Sequence, residues 1–89
     1  MTLESFTRFY YHFPKDSGQV SALERYDPQK RYHHATKPAV IYWHGNGVPM
    51  FIEYFWHGRR HRNKGPAYYY ISREGCVISQ IYYRHNVPA

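Results

Sequence analysis

Two short segments of this 89-residue chain concentrate the side chains most able to do chemistry. One carries Lys30, Arg31, His33, His34 and Lys37, and the next carries Arg59, Arg60, His61, Arg62 and Lys64. A third, matching segment retains only Arg84 and His85. Cations held this close repel one another unless an anion lies among them. Arginine outnumbers lysine eight to four, and its planar fork suits two-point contact with phosphates or carboxylates. Tyr32 and Trp56 flank the segments and offer rings for a base or for a partner's apolar anchor. The candidate partner-binding and anion-binding residues are therefore Lys30, Arg31, Tyr32, His33, Lys37, Trp56, Arg59, Arg60, His61, Arg62, Lys64 and Arg84. The competing explanation is a solvated charged loop that keeps hairpin edges from aggregating.

Other chemistries are weaker. His57 and His61 are four apart, but on a strand-to-turn path they do not face one another as they would on a helix. Cys76 has no second thiolate, and no tight set of Cys, His and Asp ligands appears, so no metal or cofactor is expected. Glu53 with His57 and Arg60 could be drawn as a metal-free nuclease, and Cys76 with a distant His as a nucleophile. Neither has the local context of an acid–base or nucleophilic site. Glu24 and Glu53 hold equivalent positions, which points to scaffold carboxylates facing Tyr or Arg on a neighbouring strand. The reading is non-enzymatic.

The basic segments are connectors in a repeating pattern. Pro38-Ala39-Val40-Ile41-Tyr42-Trp43 recurs 28 residues later as Pro66-Ala67-Tyr68-Tyr69-Tyr70-Ile71. A Gly-containing turn follows each, at Asn46-Gly47 and Glu74-Gly75, and then an aromatic strand. A fixed period of this length marks stacked supersecondary units, which usually present a binding surface. Pro38 suits the first position of a strand, and Asn46-Gly47 supplies the positive φ a hairpin needs. The return strand is read from Met50 to His57, and Gly58 to Gly65 as a plain basic connection. Residues 6–13 read as a first strand and Pro14 to Gly18 as a turn. Val20 to Tyr26 read as a second strand, although Ala22-Leu23-Glu24-Arg25 would also suit a short helix. The expectation is one all-β domain spanning 1–89, an antiparallel meander of about six strands. It divides into a degenerate unit at 6–37, a clear unit at 38–65 and a shortened one at 66–89. Equivalent connectors should then lie roughly 10 Å apart along one edge, two strand spacings.

Net charge is +6 with neutral histidines, which favours an acidic partner. Tyrosine, with eleven copies, suits half-buried sheets and interfaces. One cysteine excludes an intramolecular disulfide and suits a reducing cytoplasm. No apolar run approaches the ~20 residues that span a bilayer, and Met1-Thr2-Leu3-Glu4-Ser5 lacks signal-peptide order, so a soluble protein with no membrane role is expected.

The stretch Glu53-Tyr54-Phe55-Trp56-His57-Gly58-Arg59-Arg60-His61-Arg62-Asn63-Lys64-Gly65-Pro66-Ala67 resembles a variant of the MORN repeat, met in small phage and viral proteins and in bacterial proteins labelled as antitoxins. Residues 33–47 match moderately, so about half the chain is covered. The resemblance implies stacked β-hairpins and a binding role, with no catalytic residues to transfer. Where the pattern has an acidic residue before Gly-Pro-Ala, this chain has Lys37 and Lys64, which makes the connectors basic.

The expected function is inhibition by occlusion. A small phage or mobile-element protein would cover an acidic surface of a host defence or nucleic-acid-processing complex, in the manner of an anti-CRISPR. The alternatives are sequence-independent nucleic-acid binding through the same rim and an antitoxin-like partnership with a toxin. Edge strands left open at both ends of the meander also suit homodimerisation by strand pairing.

Overall fold

A computed structural model describes residues 6–11 and 19–88. The turn expected at Pro14 to Gly18 lies outside the described residues.

The described residues are all β, in ten strands and without a helix. Six form one antiparallel sheet in the order β1 (Phe6–Tyr11), β2 (Val20–Tyr26), β3 (Val40–Trp43), β4 (Pro49–Glu53), β7 (Tyr68–Ile71) and β8 (Val77–Ile81). The other four make two short ribbons, β5 (Phe55–Trp56) with β6 (Arg59–Arg60) and β9 (Tyr83–Arg84) with β10 (Val87–Pro88). The residues that suited a short helix are β2. Its alternation decides this: Leu23 faces Ile41, while Ala22 and Glu24 face Tyr42 and Val40 on the other side. Among the described residues no helix is long and apolar enough to cross a membrane.

Register carries three side-chain rows across the sheet. On one face Leu23, Ile41, Ile52 and Tyr69 follow one another from strand to strand. On the other, Ala22, Tyr42, Phe51 and Tyr70 form one row, and Glu24, Val40, Glu53 and Tyr68 the next. Phe51 stacks on Tyr70 with ring centroids 5.0 Å apart. The molecule measures 35 × 35 × 15 Å, so it is a single layer with little interior. Buried apolar residues among those described are accordingly few and mostly small: Ala22, Leu23, Ala39, Val40 and Ala67. Aromatic rings lying across the faces supply most of the remaining apolar contact.

The return strand stops earlier than its hydrophobic pattern suggests. It ends at Glu53, and Tyr54 turns the chain out of the sheet, its N–H donating to Ala67 O at 2.8 Å. Phe55 and Trp56 then pair with Arg60 and Arg59 across the two-residue turn His57-Gly58. Both turn residues have positive φ, 47° and 84°, as a twisted two-residue hairpin requires. The same device recurs at His85-Asn86, with φ of 50° and 72°. In the first unit the counterpart is the looser turn Asp27 to Arg31 between Tyr26 and Tyr32, which pair as an isolated bridge. Its extra residue accounts for the longer spacing of that unit.

At Asn46-Gly47 only Gly47 has positive φ, 87°, and its N–H donates to His44 O at 3.0 Å. This is a turn closed by a left-handed glycine rather than a two-residue one. Gly75 repeats it, with φ of 92° and a bond to Ser72 O at 3.0 Å.

Candidate functional site

Strands β2, β4 and β8 end where β3 and β7 begin, so all three connectors gather at one end of the sheet. They are tied together by a recurring set of bonds. Gly58 N–H donates to Tyr32 O at 2.8 Å, and Asn86 N–H to Arg60 O at 2.6 Å. His34 N–H donates to Phe55 O, and Arg62 N–H to Tyr83 O. His57 N–H donates to His33 Nδ1 at 3.1 Å, and His85 N–H to His61 Nδ1 at 3.2 Å. Adding 28 to every residue of the first bond in each pair yields the second.

The histidines of this ladder are structural. His33 stacks on His57 with centroids 4.0 Å apart, and His61 on His85 at 4.1 Å. His33 and His61, read from the sequence as partner-binding candidates, are thus hydrogen-bonding residues of the connectors. Accepting a backbone N–H requires an unprotonated Nδ1, so His61 carries its proton on Nε2, which donates to Asn63 Oδ1 at 2.9 Å. His57 Nδ1 meets Asp27 Oδ2 at 2.7 Å. Asp27 is fully buried and also accepts Gln29 N–H, Arg31 N–H and Arg31 Nε–H, each at 2.9 Å. Burial alone would raise its carboxyl, but the bonds from His57 and Arg31 outweigh that and hold it well below the ordinary range. Neither Asp27 nor His57 belongs to the basic rim read from the sequence. Their relation becomes visible only when the first two connectors lie side by side.

The two carboxylates at the foot of the connectors are also filled. Glu24, 7 % exposed, accepts hydroxyls from Tyr10 at 3.1 Å, Tyr32 at 3.0 Å and Tyr42 at 3.3 Å, and from Tyr26. Burial would raise this carboxyl, but the bonds from Tyr26, Tyr32, Tyr10 and Tyr42 together hold it below its ordinary value. In return, burial and then the Glu24 hydrogen bond push the Tyr32 hydroxyl up to about 12. Glu53 instead receives Arg60, at 3.1 Å through Nε and 3.0 Å through Nη2. Both carboxylates thus serve the scaffold, as their equivalent positions suggested.

These contacts divide the candidate residues. Arg31, Tyr32, His33, Arg60 and His61 are held by the bonds just described. Arg62 lies over the Tyr54 ring, 4.0 Å from its centroid, and donates to Pro66 O at 3.1 Å. Arg84 donates to Asn63 O at 3.3 Å. The simple picture of basic and titratable side chains repelling one another along one rim therefore does not hold, because carboxylates, carbonyls and rings occupy most of the arginines. Lys30, Lys37, Arg59 and Lys64 are exposed, and none of their side chains has a hydrogen-bond or ion-pair partner among the described residues. Lys30 lies apart from the others, in a recess shared with Phe6, Thr7, Arg8, Tyr26 and Pro28.

Of the remaining three, Lys64 lines a groove of about 630 Å³ between the first and second connectors, while Lys37 follows Thr36 of its wall in the chain and Arg59 pairs with its Trp56. His34 to Thr36 form one wall, and His61 to Lys64 the other. Tyr54 and Trp56 line it, and His85 closes one end. Trp56 is 41 % exposed and pairs with Arg59 across the ribbon. Lys37 N–H is fixed by His34 Nδ1 at 2.8 Å, which sets the loop that bears the lysine. A smaller recess lined by Arg62, Asn63, Tyr82 and Arg84 occupies the matching place one unit on. Chemically, the groove offers positive charge and an indole face. The stacked imidazoles face one another through their rings and do not converge on a point, and among the described residues no group of three or more His, Cys, Asp or Glu is placed to hold a metal.

No protein-family model, no curated protein and no solved structure matches this chain.

Proposed function

We propose that this protein is a non-catalytic binding module that captures an acidic macromolecular surface through the connector end of its sheet. The observation that carries the reading is the groove lined by Arg62, Lys64 and the exposed Trp56, with Lys37 and Arg59 next to its lining residues in the chain or across the ribbon; among the described residues the side chains of Lys37, Arg59 and Lys64 have no partner. Occlusion of a surface inhibits without chemistry, so the function proposed is inhibition of a host defence or nucleic-acid-processing complex by a phage or mobile-element protein. The resemblance of Glu53 to Ala67 to a MORN-type repeat supports a binding role. A specific interface needs roughly 800 Å² on each partner, so contact must spread from the groove onto neighbouring connectors.

The exposed indole beside Lys64 and Arg59 also favours a second reading, direct binding of single-stranded nucleic acid by stacking and phosphate contact. Titration with single strands and duplexes at low and moderate salt separates the two. Direct phosphate binding weakens steeply with salt, with a slope proportional to the phosphates neutralised. Capture of an acidic protein with only weak nucleic-acid binding supports occlusion. The deciding variant is Arg59→Glu with Lys64→Glu. It should abolish partner capture while unfolding stability stays within about 0.5 kcal/mol, because neither side chain holds the scaffold. Unchanged capture would remove the groove from consideration. Arg60 is unsuitable for this test because it neutralises Glu53.

A further inference from the structure

We infer that the groove over Ala22, on the face of the sheet, binds a small quaternary ammonium compound of the choline type. This inference is independent of the proposed function, because it uses the sheet face and not the connector end.

The register of the sheet builds the groove. Tyr10 of β1, Ala22 of β2 and Tyr42 of β3 lie opposite one another in successive strands. A small residue therefore stands between two rings, and the tyrosine positions are roughly 10 Å apart, two strand spacings. Two contact distances of ~4 Å fit within that width, so one group can touch both rings. Phe51 continues the row and stands at right angles to Tyr42, at 89° with centroids 6.4 Å apart. Trp43 and Met50 also line the cavity, whose volume is about 590 Å³. Tyr10, 40 % exposed, forms the outer wall.

Glu24 selects the ligand. It is the one charged residue in the lining among those described. Despite burial, its hydroxyl bonds hold it below its ordinary value, so it is an anion at neutral pH. An anionic ligand is repelled there. Arg8 stands opposite Glu24 on β1 but lines the recess beside Lys30 and not this groove. Both carboxylate oxygens are occupied: Oε1 accepts Tyr10 and Tyr26, and Oε2 accepts Tyr32 and Tyr42. A carboxylate has about four lone-pair sites, so none is left for a further donor. A primary ammonium, a guanidinium or a sugar hydroxyl would give up hydrogen bonds to water and regain none from Glu24. A quaternary ammonium has no N–H to satisfy, and it is held by charge and by the faces of aromatic rings. The slot lies over β2, which pairs on both sides, so no open backbone beside it can hold a peptide. A free small molecule is therefore the occupant.

Titration of the full chain with choline, followed by amide NMR shifts at constant ionic strength, tests the inference. Concentrations to roughly 20 mM suit so small a ligand. Saturable shifts are expected at Ala22, Tyr42 and Phe51. Neohexanol, the uncharged carbon isostere, should bind at least about fivefold more weakly, since it keeps the shape and loses the cation. Ala22→Leu fills the slot and should abolish the saturable shifts, with the far-ultraviolet circular dichroism of the unaltered chain. If Ala22→Leu is misfolded, Tyr10→Phe and Tyr10→Leu replace it. The first keeps the ring and should bind as before, and the second should bind at least about fivefold more weakly. Absence of saturable shifts, equal binding of neohexanol, or undiminished binding by folded Ala22→Leu or by Tyr10→Leu would each overturn the inference. So would tighter binding of a trimethyllysine peptide than of choline, which would assign the groove to a protein partner. Arg59→Glu with Lys64→Glu should bind choline as the unaltered chain does, so failure here leaves the functional reading standing.

Discussion

Glu24 and Glu53 occupy the same row of the sheet, one under each of the first two connectors, yet they are satisfied in different ways. Glu24 collects four tyrosine hydroxyls and remains an anion among neutral donors. Glu53 is met by a guanidinium that also lies over the Phe55 and Tyr83 rings. The connector supplies the difference: Tyr32 stands in the first where Arg60 stands in the second. The lesson concerns charge. An arginine in these connectors is a scaffold part whenever a carboxylate lies beneath it, so counting basic residues overstates the positive surface available to a partner.

The most severe way to break the comparison is Glu24→Gln. Four hydroxyls lose their charged acceptor in a buried place, and we expect a loss of about 3 kcal/mol of unfolding free energy, read by urea denaturation. The pH profile sharpens it next. Glu24 is held below its unfolded value of ~4.3, so its contribution is present above that pH and is lost as pH falls through the folded value. Tyr32 is raised from ~10 to about 12, so its contribution is present below ~10 and lost as pH rises toward 12. Stability measured against pH should therefore fall at both extremes. Glu24→Gln should shrink the alkaline limb to the part due to burial of the tyrosines and leave on the acid side mainly the part due to Asp27, which is also held low.

A smaller effect is expected at the second carboxylate. Arg60 is 39 % exposed in its pair with Glu53, so a double-mutant cycle with Glu53→Gln and Arg60→Gln should give a coupling of about 1 kcal/mol or less. A coupling as large as the loss at Glu24 would show that the two carboxylates are equivalent after all. The smallest stability effect belongs to the groove cations. Lys37→Glu should leave the urea midpoint almost unchanged, in contrast to Arg31→Glu, which leaves buried Asp27 facing a like charge.

Much of the architecture was legible because a sheet enforces a period of two. Alternation around Ile41 and Ile52 assigned the strands, and Pro38, Pro66 and Gly47 marked where strands begin and turn. The ribbons were not legible. Phe55-Trp56 continues the apolar alternation of β4, and nothing local distinguishes a strand that stays in the sheet from one that leaves it at Tyr54. The positive φ of His57 and His85 is similarly hidden, since a His-Gly or His-Asn pair is a weaker turn signal than Asn-Gly. The candidate site was legible in part: Trp56 and Lys64 line the groove and Lys37 and Arg59 are exposed beside it, while Arg31, Arg60 and Arg62 are held by neighbours that sequence order does not reveal.

The amino-acid order alone determined that this chain forms antiparallel strands with basic connectors at one end, because alternation and turn residues act within a few positions of themselves. Which connector cations face solvent was decided by the tertiary structure. Asp27 lies 30 residues before His57 in the chain but 2.7 Å from it in space, and only the packing of one connector on the next brings a carboxylate, a ring or a carbonyl within reach of one charge and leaves another exposed.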